Sequence, residues 1–181
     1  MDVPTVRRVR RIPAPEGGTG SSFADEVREA GMNPSTDLVR AEAVVAPVGI
    51  ARLLEIESDA PVLVRERHMY ADDRPVQLAT SYIPLSLAGS VELAFPDTGP
   101  TGIYRRLAER GHRVARFAEE IEGRRPLPEE LDFLRVGRGG FVLEVRRLAY
   151  GEEGKPVEVT INVFPGQLWR LRYEWAAEGA G

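Results

Sequence analysis

A chain of 181 residues that is 43% hydrophobic and 29% charged can close a core of its own, and it leaves no room for a second full domain. It has no cysteine, which excludes disulfides, thiolate chemistry and cysteine-ligated metal, and a formal charge of −4 argues against tight duplex binding through phosphate neutralisation. No apolar run approaches the roughly 20 residues of a membrane helix, and Met1-Asp2-Val3-Pro4 lacks a signal peptide's apolar stretch, so a cytoplasmic protein is expected.

Residues 1–21 carry the basic cluster Arg7, Arg8, Arg10 and Arg11, then Pro13, Pro15, Gly17, Gly18 and Gly20, and read as a linker. Gly17-Gly18-Thr19-Gly20 is not a phosphate loop, because no Gly-Lys-Ser/Thr follows it. Ser22 with Asp25 makes a capping box for a helix carrying Phe23, Val27 and Ala30 on one face and closed by Gly31. A strand-like run, Leu38 to Ala46, precedes a short helix from Val48 to Glu55 with Ile50, Leu53 and Leu54 on one side. Val62–Tyr70 and Pro75–Ile83 flank the polar turn Ala71-Asp72-Asp73-Arg74 and predict a β-hairpin.

Thr101–Arg110 spaces Ile103, Tyr104 and Leu107 for a helix, His112–Glu122 alternates as a strand, and Pro126–Leu134 is a further short helix. The hairpin pattern then repeats, with Phe141–Tyr150 and Pro156–Phe164 around Gly151–Lys155, before an alternating run from Gln167 to Trp175. Hairpins separated by helices predict an α+β fold, a mostly antiparallel sheet with short helices packed around it. The domain is expected over residues 22–177, with 178–181 as a tail.

Several residues could carry a site. Arg65 and Arg67 share one strand face, with Glu66 and His68 on the other, so two guanidinium forks either bind a phosphate or carboxylate together or pair with nearby carboxylates across strands. Val157, Val159, Ile161 and Val163 take one face of their strand and Glu158, Thr160, Asn162 and Phe164 the other, which either meets solvent or lines a pocket. Tyr82 and Tyr104 either offer hydroxyls to a ligand or pack in the core. His68 and His112 have no metal-ligand spacing, and neither a cofactor nor a metal is expected. No Ser-His-Asp set, metal triad or carboxylate pair can be assembled, so the chain is not expected to be an enzyme.

The order of Val62-Leu63-Val64-Arg65-Glu66-Arg67, Arg74-Pro75-Val76, Thr80-Ser81-Tyr82-Ile83-Pro84, Gly102-Ile103-Tyr104, Pro128-Glu129-Glu130-Leu131 and Gly154-Lys155-Pro156-Val157-Glu158 is distinctive. Over roughly residues 22–175 it resembles the UTRA domain, the effector-binding half of HutC-group, GntR-family transcription regulators. The resemblance implies a chorismate-lyase-like fold, a homodimer, and a small anionic or carboxylate metabolite bound beside the sheet. DNA would be read through a winged helix-turn-helix preceding the domain in full-length relatives, and no membrane is involved.

It further implies that the arginines contact the effector's anionic group and that Glu158 is a ligand-facing acid. The expected effector residues are Arg65, Arg67, Thr80, Tyr82, Thr101 and Tyr104 with Glu158, Thr160, Asn162 and Phe164. Ala79 stands where sugar-phosphate sensors carry an acid, Phe164-Pro165 where they carry Tyr-Arg, and Gly102 where they carry a serine. A phosphosugar therefore fits this chain no better than a carboxylate-bearing or more apolar metabolite. Two alternatives accompany this reading: a chorismate-lyase-like enzyme, and a dimerisation module with a vestigial pocket.

Overall fold

Two hairpins, each preceded by a strand and a short helix, build most of the molecule. The computed structural model describes residues 5–12, 22–94 and 102–175. In chain order, β1 (Val6–Ile12) and α1 (Phe23–Glu29) lead into β2 (Pro34–Val45), α2 (Val48–Leu54), β3 (Pro61–Ala71) and β4 (Arg74–Pro84). A short α3 (Leu85–Ala88) and a 3-10 turn (Val91–Ala94) follow. Then come α4 (Gly102–Glu109), β5 (Val114–Arg124), α5 (Pro128–Leu134), β6 (Val142–Gly151), β7 (Pro156–Pro165) and β8 (Trp169–Trp175). The α+β class expected from the pattern is the one observed.

Local chemistry explains the boundaries. The Ser22 hydroxyl accepts the Asp25 amide at 3.2 Å while the Asp25 carboxylate accepts the Ser22 amide at 3.3 Å, which closes the capping box of α1. At α5 the Glu130 carboxylate takes the Leu127 amide at 2.8 Å, with Pro128 in the first turn where its missing N–H costs nothing.

Six strands form one sheet in the order β2-β3-β4-β7-β6-β5, every neighbouring pair antiparallel. One face carries Leu63 and Ile83 under Leu93, Ile103 and Leu107, from the 3-10 turn and α4. The other carries Val62 and Val159 under Ile50 and Leu54 of α2, and Val142 and Val163 under Leu134 of α5.

The stretch expected to be linker contains a strand. β1 pairs in parallel with β8, Val6 against Trp169 through Ile12 against Trp175. Its apolar residues Val6, Val9 and Ile12 recur every third position, so no alternation announces it. The pairing is templated by β8, and Val6, 1% exposed, docks among Phe164, Leu168 and Trp169. The remaining residues of that stretch lie outside the described residues.

The two hairpin units are copies of one design. Arg67, Tyr70 and the left-handed C-cap Glu55 correspond to Arg147, Tyr150 and the left-handed C-cap Arg135. Past the second turn, one residue longer, Val76, Gln77 and Pro84 correspond to Val157, Glu158 and Pro165. In both hairpins the register skips the valine: Met69 pairs with Gln77 and Tyr70 with Pro75, as Ala149 pairs with Glu158 and Tyr150 with Pro156. The helices follow suit. In α1 the Met32 amide returns to the Val27 carbonyl at 3.1 Å, and in α4 the His112 amide returns to Leu107 at 2.8 Å. The junction of β4 and β7 is the pseudo-two-fold of the sheet.

Candidate functional site

Residues paired across antiparallel strands share a face, so the register assembles the site. Arg65 pairs with Ser81, Ser81 with Thr160, Thr160 with Arg147, and Arg147 with Glu119, a polar row across five strands. The next row runs Arg67, Ala79, Asn162 and Val145. Glu158 stands two residues from Thr160 on the same face, and Tyr104 reaches over from α4.

The groups are buried or half-buried, and their titration behaviour follows. Arg65 is 4% exposed, and burial, then the neighbouring Arg67 charge, pull its guanidinium down to about 10, with Glu158 opposing. Burial also lowers Arg67, whose Nη2 donates to the Ser81 hydroxyl at 2.9 Å, and Ser81 meets the Thr160 hydroxyl at 3.0 Å. Burial, reinforced by the Glu158 charge, pushes the Tyr104 phenol well above its ordinary range, and the phenol hydrogen-bonds both Glu158 and Arg147. Burial works to lower Arg147, but Tyr104 and Glu119 outweigh it and raise it. Arg147 donates Nε and Nη2 to Glu119 at 2.8 and 2.7 Å. Arg106 of α4 gives Nη1 to the Leu93 carbonyl at 3.0 Å, and its charge bears on Arg65.

The face therefore holds a cationic cradle. Arg65 Nε and Arg67 Nε are buried without a hydrogen-bond partner, and so is the side-chain oxygen of Gln77. A planar fork with an open N–H is a ready carboxylate or phosphate ligand.

Six of the expected residues come together here: Arg65, Arg67, Tyr104, Glu158, Thr160 and Asn162. Three do not. Thr80 pairs with Glu66 and Ile161, and Tyr82 with Val64 and Val159, so both face the opposite side of the sheet, Tyr82 against the α2 cluster. Phe164 shares the cradle's face but is fully buried against Trp169, ring centroids 4.5 Å apart, and acts as a wall of the core. Thr101 lies outside the described residues. Sequence reasoning missed Ser81, Gln77, Glu119 and Arg147, which the hairpin register brings in.

A cleft of about 410 Å³ lies elsewhere, at the end of the sheet between the α2 terminus and the β6–β7 turn, lined by Leu54, Pro84, Leu87, His112 and Val157. Its rim charges pair with one another, Arg113 with Glu152 at 3.7 Å and Lys155 with Glu153 at 3.8 Å, on exposed side chains. Exposed pairs of this kind hold little free energy for a ligand to draw on, so the cradle is the stronger candidate. Among the described residues no group of three or more His, Asp or Glu is placed to hold a metal, and no helix is long and apolar enough to cross a membrane.

The antiparallel sheet with helices on both faces is the frame of this cradle, and comparison with known proteins puts that frame among the effector domains of GntR-family transcription regulators. The model of the UTRA domain family matches residues 29–170, and the chain belongs to that family, with the chorismate-lyase-like architecture expected of it.

It is 30% identical over 142 residues to the HTH-type transcriptional regulator Rv0792c of Mycobacterium tuberculosis, covering 77% of this chain and 52% of that protein. To the HTH-type transcriptional repressor NagR of Bacillus subtilis it is 25% identical over 151 residues, 82% of this chain and 60% of that one. The chain thus spans between half and two thirds of the length of these relatives. Among solved structures, PhnF from Mycobacterium smegmatis superposes with a TM-score of 0.80 at 20% identity, over 97% of this chain and 74% of that one. The C-terminal domain of the histidine utilization repressor from Pseudomonas syringae pv. tomato superposes at 0.71 and 17% identity, over 80% of this chain and all of that one. Likeness at such identities speaks to fold.

Proposed function

We propose that this domain is the sensing half of a GntR/HutC-type regulator. A small anionic or carboxylate metabolite binds against Arg65 and Arg67, and its binding shifts DNA affinity in a winged helix-turn-helix carried by the whole protein. The observation behind this reading is the side-by-side burial of two guanidinium groups, each with an open Nε. Two like charges out of water are costly, and an anion between them offsets the cost. Glu158, Thr160 and Asn162 supply further polar contacts on the same face. The names of the relatives, all regulators, favour sensing over catalysis. The reading also makes the protein a cytoplasmic homodimer, which sedimentation can test.

The experiment is a thermal-melt series of the purified domain against sugar phosphates, carboxylic acids, amino-acid catabolites and aromatic metabolites. A ligand at 100 times its Kd adds about 2.7 kcal/mol, which for a domain of this size raises the midpoint by roughly 5 to 11 °C. One coherent class of anions is the expected result, lost in Arg65→Ala. A folded domain indifferent to every anion would point to a vestigial pocket. Coupling is tested on the full-length regulator, since effector affinity that is equal with and without operator DNA removes it.

A further inference from the structure

The pseudo-two-fold makes the second half of the sheet a reference for the first. In the second half Arg147 is paired with Glu119, and Tyr104 bonds both Arg147 and Glu158. The corresponding positions in the first half are Arg67, Ala24 and Gln77, and the residue paired with Arg67 is Leu38, because the register skips Val39. The cation is kept and an acceptor is kept, but a leucine faces the cation in place of the acid and the phenol has become alanine. The consequence is visible in the unpartnered atoms: Arg67 Nε and Gln77 Oε1, joined by Nε of Arg65, which stands where the second half has Val145.

Gln77 is 2% exposed, and its orientation is fixed by a chain of bonds. The Asn162 amide nitrogen donates to the Val145 carbonyl at 3.4 Å, which turns the Asn162 oxygen toward Gln77. That oxygen accepts Gln77 Nε2 at 2.8 Å. The Gln77 oxygen therefore points away from Asn162 as a buried acceptor needing a donor. Its head reaches the row of Arg67, Ala79 and Asn162, where Ala79 presents only a methyl group. Among the strand residues of this face Arg147 is matched by Glu119, and Arg65 and Arg67 against Glu158 leave one positive charge, which a single carboxylate balances; Arg106 of α4 adds to the attraction from outside the row.

We propose that the ligand supplies the two groups that the first half lacks: a carboxylate for the Arg65 and Arg67 forks, and an O–H or N–H donor for Gln77 Oε1. The ligand class is then a small hydroxy or amino acid, and Gln77 is the specificity-determining residue. The proposal rests on the sensing role argued above. A buried acceptor left unmade penalises a ligand lacking the donor, so the two classes of acid separate.

The probes are 3-hydroxybutyrate, 4-hydroxybutyrate, 4-aminobutyrate and 5-aminovalerate against butyrate and valerate, with methyl phosphate as the anion without a carboxylate. Binding is read by calorimetric titration and thermal melts. The donor-bearing acids are expected to bind wild type at least five-fold more tightly than their parents, and Gln77→Met to erase that ratio, which is read as a ratio because the loss of the Gln77 bond to Asn162 also changes the parents' own affinity. Gln77→Glu keeps the shape and the acceptor but gives up the Nε2 donor, so Asn162 must turn its amide to it; the variant should retain the ratio while weakening every acid at least ten-fold by cancelling the site's charge. Acids that bind without a donor advantage, or an advantage that survives Gln77→Met, overturn this inference and leave the sensing site standing. Methyl phosphate binding more tightly than every acid overturns the carboxylate assignment. Failure of every anion to bind the folded wild type overturns the sensing site, and the inference with it.

Discussion

Arg65 lies directly opposite Ser81 across the β3–β4 ladder, and it does so because Val76 is passed over in the register. Continuing the pairing of Tyr70 with Pro75 without the bulge would set Arg65 against Thr80. The faces of β4 would then be exchanged, because a one-residue slip sends every side chain to the other side. Deleting Val76 is thus expected to abolish the cooperative urea transition and anion binding together. Val76→Ala, which keeps the count, should cost about 1 to 2 kcal/mol and preserve binding. Equal damage from the two changes would show that the bulge does not set the face.

Arg65 is expected to destabilise the domain that it serves. With its guanidinium held at about 10 by burial, keeping the charge at neutral pH costs about 3 kcal/mol relative to an ordinary arginine. The sign follows: a depressed cation disfavours the fold below that value and relaxes as pH rises through it. Arg65→Met, which fills the same space without charge, should raise the melting midpoint by roughly 3 to 8 °C at pH 7 and eliminate anion binding. A lower midpoint would mean that Arg65 is a structural ion-pair partner.

The network on the opposite face has the reverse sign. Arg124 donates to both oxygens of Glu130, at 2.7 and 2.6 Å, and to Glu144 at 2.8 Å. Burial pushes the Glu130 carboxyl up, but the Arg124 bonds and the Leu127 amide outweigh it and hold it below the usual range. Its contribution is present above pH 4.5 and is lost as pH falls through the lowered value. Glu130→Gln should therefore cost about 3 kcal/mol in urea titrations at pH 7 and progressively less toward pH 3. A deficit independent of pH would assign the loss to packing.

How far the sequence could be read depended on what each signal measures. Alternation and turn residues placed both hairpins: β4 and β7 are buried on both faces, but the faces of β7 differ in polarity, which keeps the period of two visible. The shared face of Arg65 and Arg67, and that of Glu158, Thr160 and Asn162, followed from spacing within one strand. Which residues of β4 join them did not, since Thr80 and Ser81 differ by the one position that the Val76 bulge shifts. Phe164 had the right parity, but only the docking of β8 reveals that Trp169 covers it. β1 left no alternation at all, since its partner lies at the far end of the chain. Gln77 was invisible as a site residue, because its open oxygen arises from the Val145–Asn162–Gln77 chain of bonds.

The strand β1 gives a test of where the domain begins. Its first amide donates to the Leu168 carbonyl at 2.9 Å, and Val6 sits in the cluster of Phe164 and Trp169. The Trp169 indole in turn donates to the Val76 carbonyl at 2.8 Å, so the β1 edge, the bulge and the end of β7 share one buried contact set. Removing residues 1–21 should cost about 2 kcal/mol from the exposed Val6 site and lost ladder bonds. It should also shift emission from Trp169, 1% exposed, to the red, while Trp175 at 69% is already in water. Val6→Asp should reproduce both effects with the chain intact. A trimmed domain with unchanged stability and emission would make the segment a plain tether. A loss on trimming instead places β1 inside the folding unit, bonded to the strand that follows the Glu158, Thr160 and Asn162 face. Hydrogen exchange of the β1 amides should then slow when an anion occupies the cradle.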